Sequence, residues 1–421
     1  MHICLFEDEQ FENFGPLILN RPVYELICGF NSIKEKILSS FPKTKYSLLC
    51  RNYLKDIVSE TNPGIPVNEI PADDCLFING RILTTLDLSK ILKKKNKSNK
   101  IFISNNNVIA VRISGERLAN LKSKLNSPLK KNDFGDLPRE EVNIQTADYI
   151  WDLILRNGEI LKKDFERFFK NNPSAKKKKI KGKLHKGVSL VNKKNIYVEK
   201  GAEIKPGTVL DASEGPIFID KNAAVSSNSV ICGPVYIGKN SKIKAMAYIY
   251  SNVSIGDVVK VGGEVEDTIM MPYSNKQHSG FIGHAYIGSW VNLGADTNCS
   301  DLKNNYGLIK VTLGEKVIDT GSRFMGLIIG DHSKSGINTM FNTGTVVGFS
   351  CNIFGSGFPG KYIPSFSWGG SEQMTAYKVE KCIGTARIVL NRRNKNMSKK
   401  NESLFRYIFE LTKKERDRKG Y

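Results

Sequence analysis

Aliphatic residues recur at every sixth position along a long stretch of this chain. The eight residues at this spacing are Ile219, Val225, Ile231, Ile237, Ile243, Ile249, Ile255 and Val261. Four positions after each of them stands a small or β-branched residue. An amphipathic helix repeats near 3.6 residues and an alternating strand repeats every two, so neither explains this period. The period indicates a hexapeptide solenoid, in which three six-residue units form a coil and the aliphatic residue points inward.

The repeat continues on both sides of this stretch. Further members are Val198, Ile204 and Leu210 upstream, then Phe281, Ile287, Leu293 and Cys299, and finally Ile329, Ser335, Phe341, Val347 and Ile353. Together the runs predict roughly six to seven coils. The repeat is interrupted at 266–280 and 300–328, and we expect both segments to be loops outside the solenoid. Such insertions often carry binding sites in repeat proteins.

The whole chain is expected to form two or three units, since 421 residues exceed one ordinary hydrophobic core. Residues 1–145 predict an α/β domain with a mixed sheet. Its expected strands are 3–6, 46–50, 75–78, 101–104 and 108–111, and its expected helices are 33–41 and 86–92. Residues 146–195 predict a helix followed by a basic linker, 196–370 the solenoid, and 371–421 a basic helical tail that covers the last coil.

The composition argues for a cytoplasmic protein. The chain is 40% hydrophobic and has no apolar run of membrane-spanning length, so no membrane span is expected. Its first residues lack a basic segment and predict an opening strand rather than a signal peptide. The eight cysteines are scattered without a CxxC pair, which favours a reducing compartment over a disulfide framework.

A formal net charge of +21 has two interpretations. It is typical of a protein that binds nucleic acid or an anionic surface. It also fits a lysine-rich composition, because the lysines are spread along the chain and the densest run, 176–183, resembles a solvated linker. We favour the second interpretation and expect no specific nucleic-acid partner. A positive field would also attract a small anionic substrate.

Two segments of the first domain carry a resemblance. Residues 17–26 contain Asn20-Arg21-Pro22, and residues 76–81 end in Asn79-Gly80-Arg81. An α/β domain with these motifs, followed by a hexapeptide solenoid, resembles the sugar-1-phosphate nucleotidyltransferases. In that family a glycine-rich loop after the first strand wraps the nucleotide phosphates, and an aspartate holds Mg²⁺.

Neither feature is retained in this chain. The first strand is followed by the acidic residues Glu7, Asp8 and Glu9, and Arg81 stands where the metal-binding aspartate is expected. Because a cation cannot ligate a cation, we expect a degenerate domain that uses Mg²⁺ only if it is active. Arg21 remains a candidate for binding substrate phosphate, with an ion pair to Glu25 or Asp8 as the alternative.

A more specific resemblance lies in the solenoid. The segment 285–297 reads Ala-Tyr-Ile-Gly-Ser-Trp-Val-Asn-Leu-Gly-Ala-Asp-Thr and follows His278. It resembles the bifunctional N-acetylglucosamine-1-phosphate uridyltransferase / glucosamine-1-phosphate acetyltransferase family, and more closely its divergent sugar nucleotidyltransferase group. The resemblance implies that His278 is the catalytic histidine and that Asn292 contacts substrate. Gln277 and Phe281 depart from the family's glycine and tyrosine, which leaves the acceptor open.

The resemblance further implies a left-handed parallel β-helix, a homotrimer, and acetyl-CoA as co-substrate with a sugar phosphate or sugar nucleotide as acceptor. An amine must lose a proton to attack a thioester, and imidazole, with an unperturbed pKa of about 6.5, is suited to accept it. Lys276 is a candidate for contacting the sugar phosphate. Asn342 and Thr343 are candidates for contacting coenzyme A, although both residue types are also common at solenoid corners.

Three other functions remain open from the sequence. The histidines His278, His284 and His332 could belong to a trimeric zinc carbonic anhydrase, but the spacing of the first two departs from that class. The first domain could be a working nucleotidyltransferase. The chain could also be a trimeric scaffold that binds sugar nucleotides without turnover.

Overall fold

The computed structural model of the protein describes residues 1–83, 88–92, 98–123, 125 and 128–421. The first domain is built on a six-stranded sheet. In spatial order its strands are Tyr46–Leu48, His2–Phe6, Asp74–Asn79, Asn107–Ser114, Lys100–Ser104 and Arg139–Glu141. The helices up to the solenoid are α1 (Ile33–Ser39), α2 (Lys55–Thr61), α3 (Leu88–Leu92), α4 (Glu116–Lys122), α5 (Ile150–Leu155) and α6 (Asn157–Asn171). A small hairpin joins Ile27–Cys28 to Asn31–Ser32.

The sheet is mixed, as the sequence predicts. His2–Phe6 runs parallel to both of its neighbours, whereas Asn107–Ser114 is antiparallel to Asp74–Asn79 and to Lys100–Ser104. The predicted strands and the helix 33–41 are all present, with ends shifted by a few residues. The start of the predicted helix 86–92 lies outside the described residues, and α3 forms its remainder.

The second domain is a parallel β-solenoid with three faces. Face 1 has nine strands: Ile196–Val198, Ile217–Ile219, Val235–Ile237, Val253–Ile255, Ile269–Met270, Tyr286–Ile287, Ile328–Ile329, Val346–Val347 and Tyr362–Ile363. Face 2 contains Lys183–Leu184, Glu203–Ile204, Ala224–Val225, Lys242–Ile243, Lys260–Val261, Asn275–Lys276, a bridge at Asn292, Lys334–Ser335, Asn352–Ile353, Ser367–Gly369 and the antiparallel Met374–Ala376. Face 3 contains Ser189–Val191, Val209–Asp211, Val230–Cys232, Tyr248–Ile249, Glu264–Glu266, Phe281–Gly283, Asn298–Cys299 and Met340–Phe341.

The six-residue period describes the interior of the solenoid. All eight aliphatic residues from Ile219 to Val261 are completely buried and belong to one continuous core. Each lies directly beside its equivalent on the next coil, as Ile219 does beside Ile237 and Ile237 beside Ile255. At about 25 cal/mol per Å² of apolar surface removed from water, this stack is a major stabilising contribution of the domain.

The prediction that 266–280 is a loop is wrong. Met270 pairs with Ile255 on face 1, and Lys276 pairs with Val261 on face 2, so the segment forms a regular coil. A five-residue step from Val265 to Met270 shifts the register, and Lys276 occupies the next inward position. For the same reason Ile282, not the predicted Phe281, points inward. The break at 300–328 is a true insertion, which contains the hairpin Lys310–Leu313 and Lys316–Asp319.

The solenoid also begins earlier than the predicted residue 196. Lys183–Leu184 pairs with Glu203–Ile204, and Ser189–Val191 pairs with Val209–Asp211. Part of the predicted basic linker therefore forms the first coil. The nine strands of face 1 likewise exceed the six to seven coils that the sequence predicts.

Face 1 is covered by the first domain. On its early coils the outward rings of Tyr197, Phe218 and Tyr236 pack against Phe165 and Phe169 of α6. On its later coils the outward residues join the core of the first domain, namely Ile269, Tyr286, Ile328 and Val346. The two domains thus share one apolar interface along most of face 1.

The C-terminal tail is helical, as predicted, and contains α7 (Val379–Asn391), α8 (Lys399–Leu411) and α9 (Lys413–Arg418). Phe405 of α8 is buried against His332 and Phe349 of the last coils. On the other side of α8, Tyr407 stacks on Tyr53 of the first domain with ring centroids 4.7 Å apart. Within the described residues, no helix is both long and apolar enough to cross a membrane.

Candidate functional site

The three histidines named by the sequence lie at three different corners of the solenoid. His278 follows a face 2 strand and precedes a face 3 strand; His284 lies between faces 3 and 1, and His332 between faces 1 and 2. One metal ion cannot reach all three within one chain. Among the residues that the structure describes, no group of three or more His, Cys, Asp or Glu side chains is placed to hold a metal ion.

His278 is exposed at the corner between faces 2 and 3. Within the described part of the chain, its imidazole has no hydrogen-bond partner. The next residue, Ser279, donates its hydroxyl hydrogen to Asp296 on the following coil. The corner is therefore held by its neighbours, while the histidine ring stays available to a ligand.

Asn292 lies on face 2, one coil after the strand that ends just before His278. It pairs in parallel with Asn275 on one side and with Lys334 on the other. The Asn292 side chain is exposed and lines a cleft of about 250 Å³ between face 2 and the C-terminal end of α7. Gln277, the residue before His278, lines the same cleft. Asn292 therefore lines this cleft, and His278 directly follows Gln277 on the adjacent coil.

The prediction that Lys276 binds substrate is wrong, because its side chain points into the solenoid. Only 1% of its surface is exposed, and its ammonium donates to the carbonyls of Gly262, His278 and Ser279 at 2.9, 3.1 and 3.3 Å. Burial lowers the pKa of Lys276 to about 8. Lys276 therefore stabilises the turn that carries His278 rather than reaching a ligand.

Arg21 pairs with neither of the carboxylates that the sequence suggested. Its guanidinium forms an ion pair with Asp331 at a solenoid corner and a 3.3 Å hydrogen bond to Ser289. Asn20 also donates to Asp331, at 3.0 Å. Burial raises the pKa of Asp331, and the positive charge of Arg21 opposes that shift. Because this contact joins the two domains, Arg21 has a structural role here instead of the predicted phosphate contact.

Asn342 and Thr343 lie at the corner that follows face 3. The amide oxygen of Asn342 accepts hydrogen bonds from the Thr343 backbone at 2.7 Å and from its hydroxyl at 3.3 Å. Thr343 is 1% exposed and also accepts from Lys361, so the prediction that it contacts coenzyme A is wrong. Asn342 is only partly buried, and its predicted contact with the coenzyme stays a prediction.

His284 is a feature that sequence reasoning did not single out for catalysis. Its Nδ1 lies 2.8 Å from a carboxylate oxygen of Asp301, and its ring stacks on Phe324 at 4.9 Å between centroids. The carboxylate of Asp267 is 3.8 Å from its Nε2. Asp301 and Phe324 belong to the insertion after the face 3 strand. Their contacts with His284 therefore could not be predicted from the spacing of the repeat.

In the first domain, Arg81 occupies the position where the resemblance expects a metal-binding aspartate. The side chain is fully buried and lies between Asp8, at 2.6 Å, and Asp148, at 3.0 Å. Hydrogen bonds to both carboxylates raise the pKa of Arg81 against the opposing effect of burial. The acidic residue Glu7 is likewise paired, with Arg51 at 3.1 Å. Glu7 and Asp8, two of the three acidic residues that follow the first strand, are thus held in internal ion pairs.

An α/β domain packed along one face of a parallel hexapeptide solenoid defines the architecture of this protein. Residues 3–172 match the family model described as sugar nucleotidyl transferase, which confirms the resemblance of the first domain to that family.

Curated relatives also match parts of the chain. A bifunctional sugar-1-phosphate nucleotidylyltransferase/acetyltransferase of Sulfurisphaera tokodaii is 32% identical over 143 residues, which are 34% of this chain and 36% of that protein. The bifunctional protein GlmU of Methanococcus aeolicus is 29% identical over 65% of this chain and 69% of its own length. The match therefore spans little more than a third of the first relative. These relatives are transferases and confirm the predicted resemblance.

Solved structures also match the chain. The N-acyltransferase AntD of Bacillus cereus, in complex with dTDP and 3-hydroxybutyryl-CoA, is 15% identical over 53% of this chain and 96% of its own, with a TM-score of 0.23. A score this low does not establish a shared fold.

Proposed function

We propose that the protein transfers an acyl group from acetyl-CoA to the amine of an amino-sugar phosphate or sugar nucleotide. The observation that carries this proposal is the placement of His278 on an exposed solenoid corner, one coil from Asn292. The two relatives, a bifunctional sugar-1-phosphate nucleotidylyltransferase/acetyltransferase and a bifunctional protein GlmU, support the same class of reaction.

In the proposed reaction the amine nitrogen attacks the thioester carbonyl carbon, and the carbon–sulfur bond breaks to release coenzyme A. The imidazole of His278 accepts the proton that the amine loses and returns it to the leaving sulfur. Asn292 orients the acceptor through its amide. A positioned general base contributes about 10²–10⁴-fold to the rate of such a step.

The test is His278→Ala, assayed by release of free thiol from acetyl-CoA with a panel of amino-sugar phosphates and nucleotide amino sugars. We expect the variant to lose about 10²–10⁴-fold in kcat, because the base is removed, while its thermal unfolding stays unchanged. The matched control is His185→Ala. It removes a histidine of the first coil, which pairs with Glu203 on the next coil. Equal activity of wild type and His278→Ala would refute the role of His278.

We also propose that the first domain lacks nucleotidyltransferase activity. This is supported by Arg81, whose guanidinium neutralises Asp8 and Asp148 where a divalent cation would need free carboxylates. We expect no pyrophosphate release from nucleoside triphosphates and sugar 1-phosphates in the presence of Mg²⁺. Release that persists in purified protein and rises with Mg²⁺ would contradict this proposal.

A further inference from the structure

The cleft between face 2 and α7 is lined by positive charge from two separate elements. Lys260 and Lys334 project outward from face 2, and Arg392 and Arg393 follow the last residue of α7. The cleft has a volume of about 250 Å³. Lys260 lies directly beside Lys242 on the preceding coil, which extends the positive row along face 2.

These cations have no acidic counterpart in the part of the chain that the structure describes. Neither the lysines of this row nor the two arginines form an ion pair with a carboxylate there. Burial lowers the pKa of Lys260, and the charges of Arg393, Lys242, Lys244 and Arg392 lower it further. Like charges held together in this way repel one another, and a bound anion would offset that repulsion.

The polar contacts of the cleft hold its cations in place without consuming their donors. Nη2 of Arg393 donates to Oδ1 of Asn275 at 3.1 Å. Nζ of Lys334 donates to the carbonyl of His332 at 2.8 Å, which uses one of its three hydrogens. Burial lowers the pKa of Lys334 to about 8. The remaining N–H groups are free to donate to the oxygens of an anion.

Aromatic rings form the wall of the cleft beside these cations. Tyr273 and Trp290 stack with centroids 4.2 Å apart and planes 5° from parallel. A rigid apolar wall beside converging cations suits a ligand that joins a charged group to an uncharged ring or chain.

A purely structural explanation accounts for only half of the cluster. Arginines at the C-terminus of a helix interact favourably with its dipole, which explains Arg392 and Arg393. The helix dipole does not explain Lys260 and Lys334. These two lysines belong to the solenoid, and burial beside the arginines destabilises their charged forms.

We propose that this cleft binds the phosphate or diphosphate group of a small-molecule ligand. The volume of the cleft, about 250 Å³, suits one such group. The inference rests on the proposed function for the identity of the ligand, because coenzyme A and sugar nucleotides both carry a diphosphate. Asn292 lies in the same cleft, so the bound group would hold its substrate next to the corner that carries His278.

The experiment is isothermal titration of the full-length protein with inorganic pyrophosphate, followed by coenzyme A and by uridine diphosphate. The variants are Lys260→Gln and Arg393→Gln. The first removes a cation from the face 2 side of the cleft, and the second removes one from the α7 side. We expect each to weaken pyrophosphate binding by about tenfold or more, since each removes a charge-assisted hydrogen bond to the anion. The matched control is Lys381→Gln, an exposed lysine at the other end of α7, which should bind as wild type does.

The comparison of the three ligands identifies the source of the phosphate. Tighter binding of coenzyme A than of pyrophosphate, lost in the cleft variants, assigns the cleft to the acyl donor; the same result with uridine diphosphate assigns it to the acceptor. The proposal is overturned if pyrophosphate does not bind, if Lys381→Gln weakens binding equally, or if an oligonucleotide binds more tightly than all three ligands. Because binding is measured without turnover, intact binding with no acyl transfer would refute the proposed function alone.

Discussion

At the scale of single residues, Lys276 is the clearest case of a side chain whose role the sequence misrepresents. A lysine two residues before a candidate catalytic histidine suggests a substrate ligand. The structure instead gives it an inward position that aliphatic residues hold on the neighbouring coils, such as Val261. Its ammonium is accommodated because three backbone carbonyls converge on it, one from Gly262 on the preceding coil and two from His278 and Ser279 in its own turn.

We predict that Lys276 makes stability depend on pH. Its pKa of about 8 in the folded protein is below the value of about 10.4 expected after unfolding. Between these values the unfolded chain binds more protons, so the free energy of unfolding rises with pH, by up to about 3 kcal/mol. The difference in unfolding free energy between wild type and Lys276→Met, measured in urea from pH 7 to 10, should therefore grow in favour of wild type.

The control for this prediction is Lys381→Met, which removes an exposed lysine of α7. Its difference from wild type should stay flat over the same range, because this side chain is exposed and the substitution leaves the buried site of Lys276 unchanged. A flat difference for Lys276→Met as well would show that burial does not shift its titration.

At the scale of elements, the hexad predicts the interior of the solenoid well and its outer surface poorly. From Ile219 to Val261 every predicted inward residue is buried. The prediction fails at Lys276 for two reasons. The step from Val265 to Met270 is five residues instead of six, and the next inward position is a lysine instead of an aliphatic residue. The sequence did not lead us to predict the row of outward cations, although it contains a signal for it. Lys242 and Lys260 are three hexads apart and therefore lie side by side on successive coils. The arginines after α7 could not be found this way, because no repeat connects a distant helix to face 2.

The corner between faces 1 and 2 requires a left-handed backbone, and one residue there is poorly suited to it. Asn222, Asn240 and Val258 occupy the same corner of successive coils with φ of 58°, 57° and 61°. Asparagine tolerates this conformation, whereas a β-branched residue rarely adopts it. We predict that Val258→Asn raises the free energy of unfolding by about 1 kcal/mol, measured by the denaturant midpoint.

The matched variant is Val258→Ala, which removes the β-branch but keeps a Cβ without the local hydrogen bonding of asparagine. It should change stability by less than Val258→Asn. A lower midpoint for Val258→Asn would mean that contacts of the valine side chain outweigh the backbone cost.

At the scale of the whole molecule, we propose that three chains associate through the corner that carries His278. Met246 and Ile337 lie at this corner and expose 78% and 70% of their surface. Large apolar side chains exposed along one edge are typical of an interaction surface. We predict a trimer in light scattering, with three times the 47.1 kDa of one chain, and dissociation in the double variant Met246→Asp/Ile337→Asp.

The control for the trimer is Val317→Asp, which places the same charge at an exposed position of the inserted hairpin, away from this corner. It should remain trimeric. A wild-type mass of one chain, or a trimer that survives both substitutions at the corner, would contradict the predicted association.

The attachment of the first domain along face 1 also bears on how the molecule comes apart. Repeat proteins can lose their end units one at a time, since each unit contacts only its neighbours. Here α6 packs on the early coils, Tyr286 exchanges hydrogen bonds with the backbone of Ile27 midway, and α8 joins the last coils to the first domain. The first domain thus braces the solenoid over most of its length. Fraying from either end must break contacts with this brace, so we expect the repeats and the first domain to unfold in one cooperative transition.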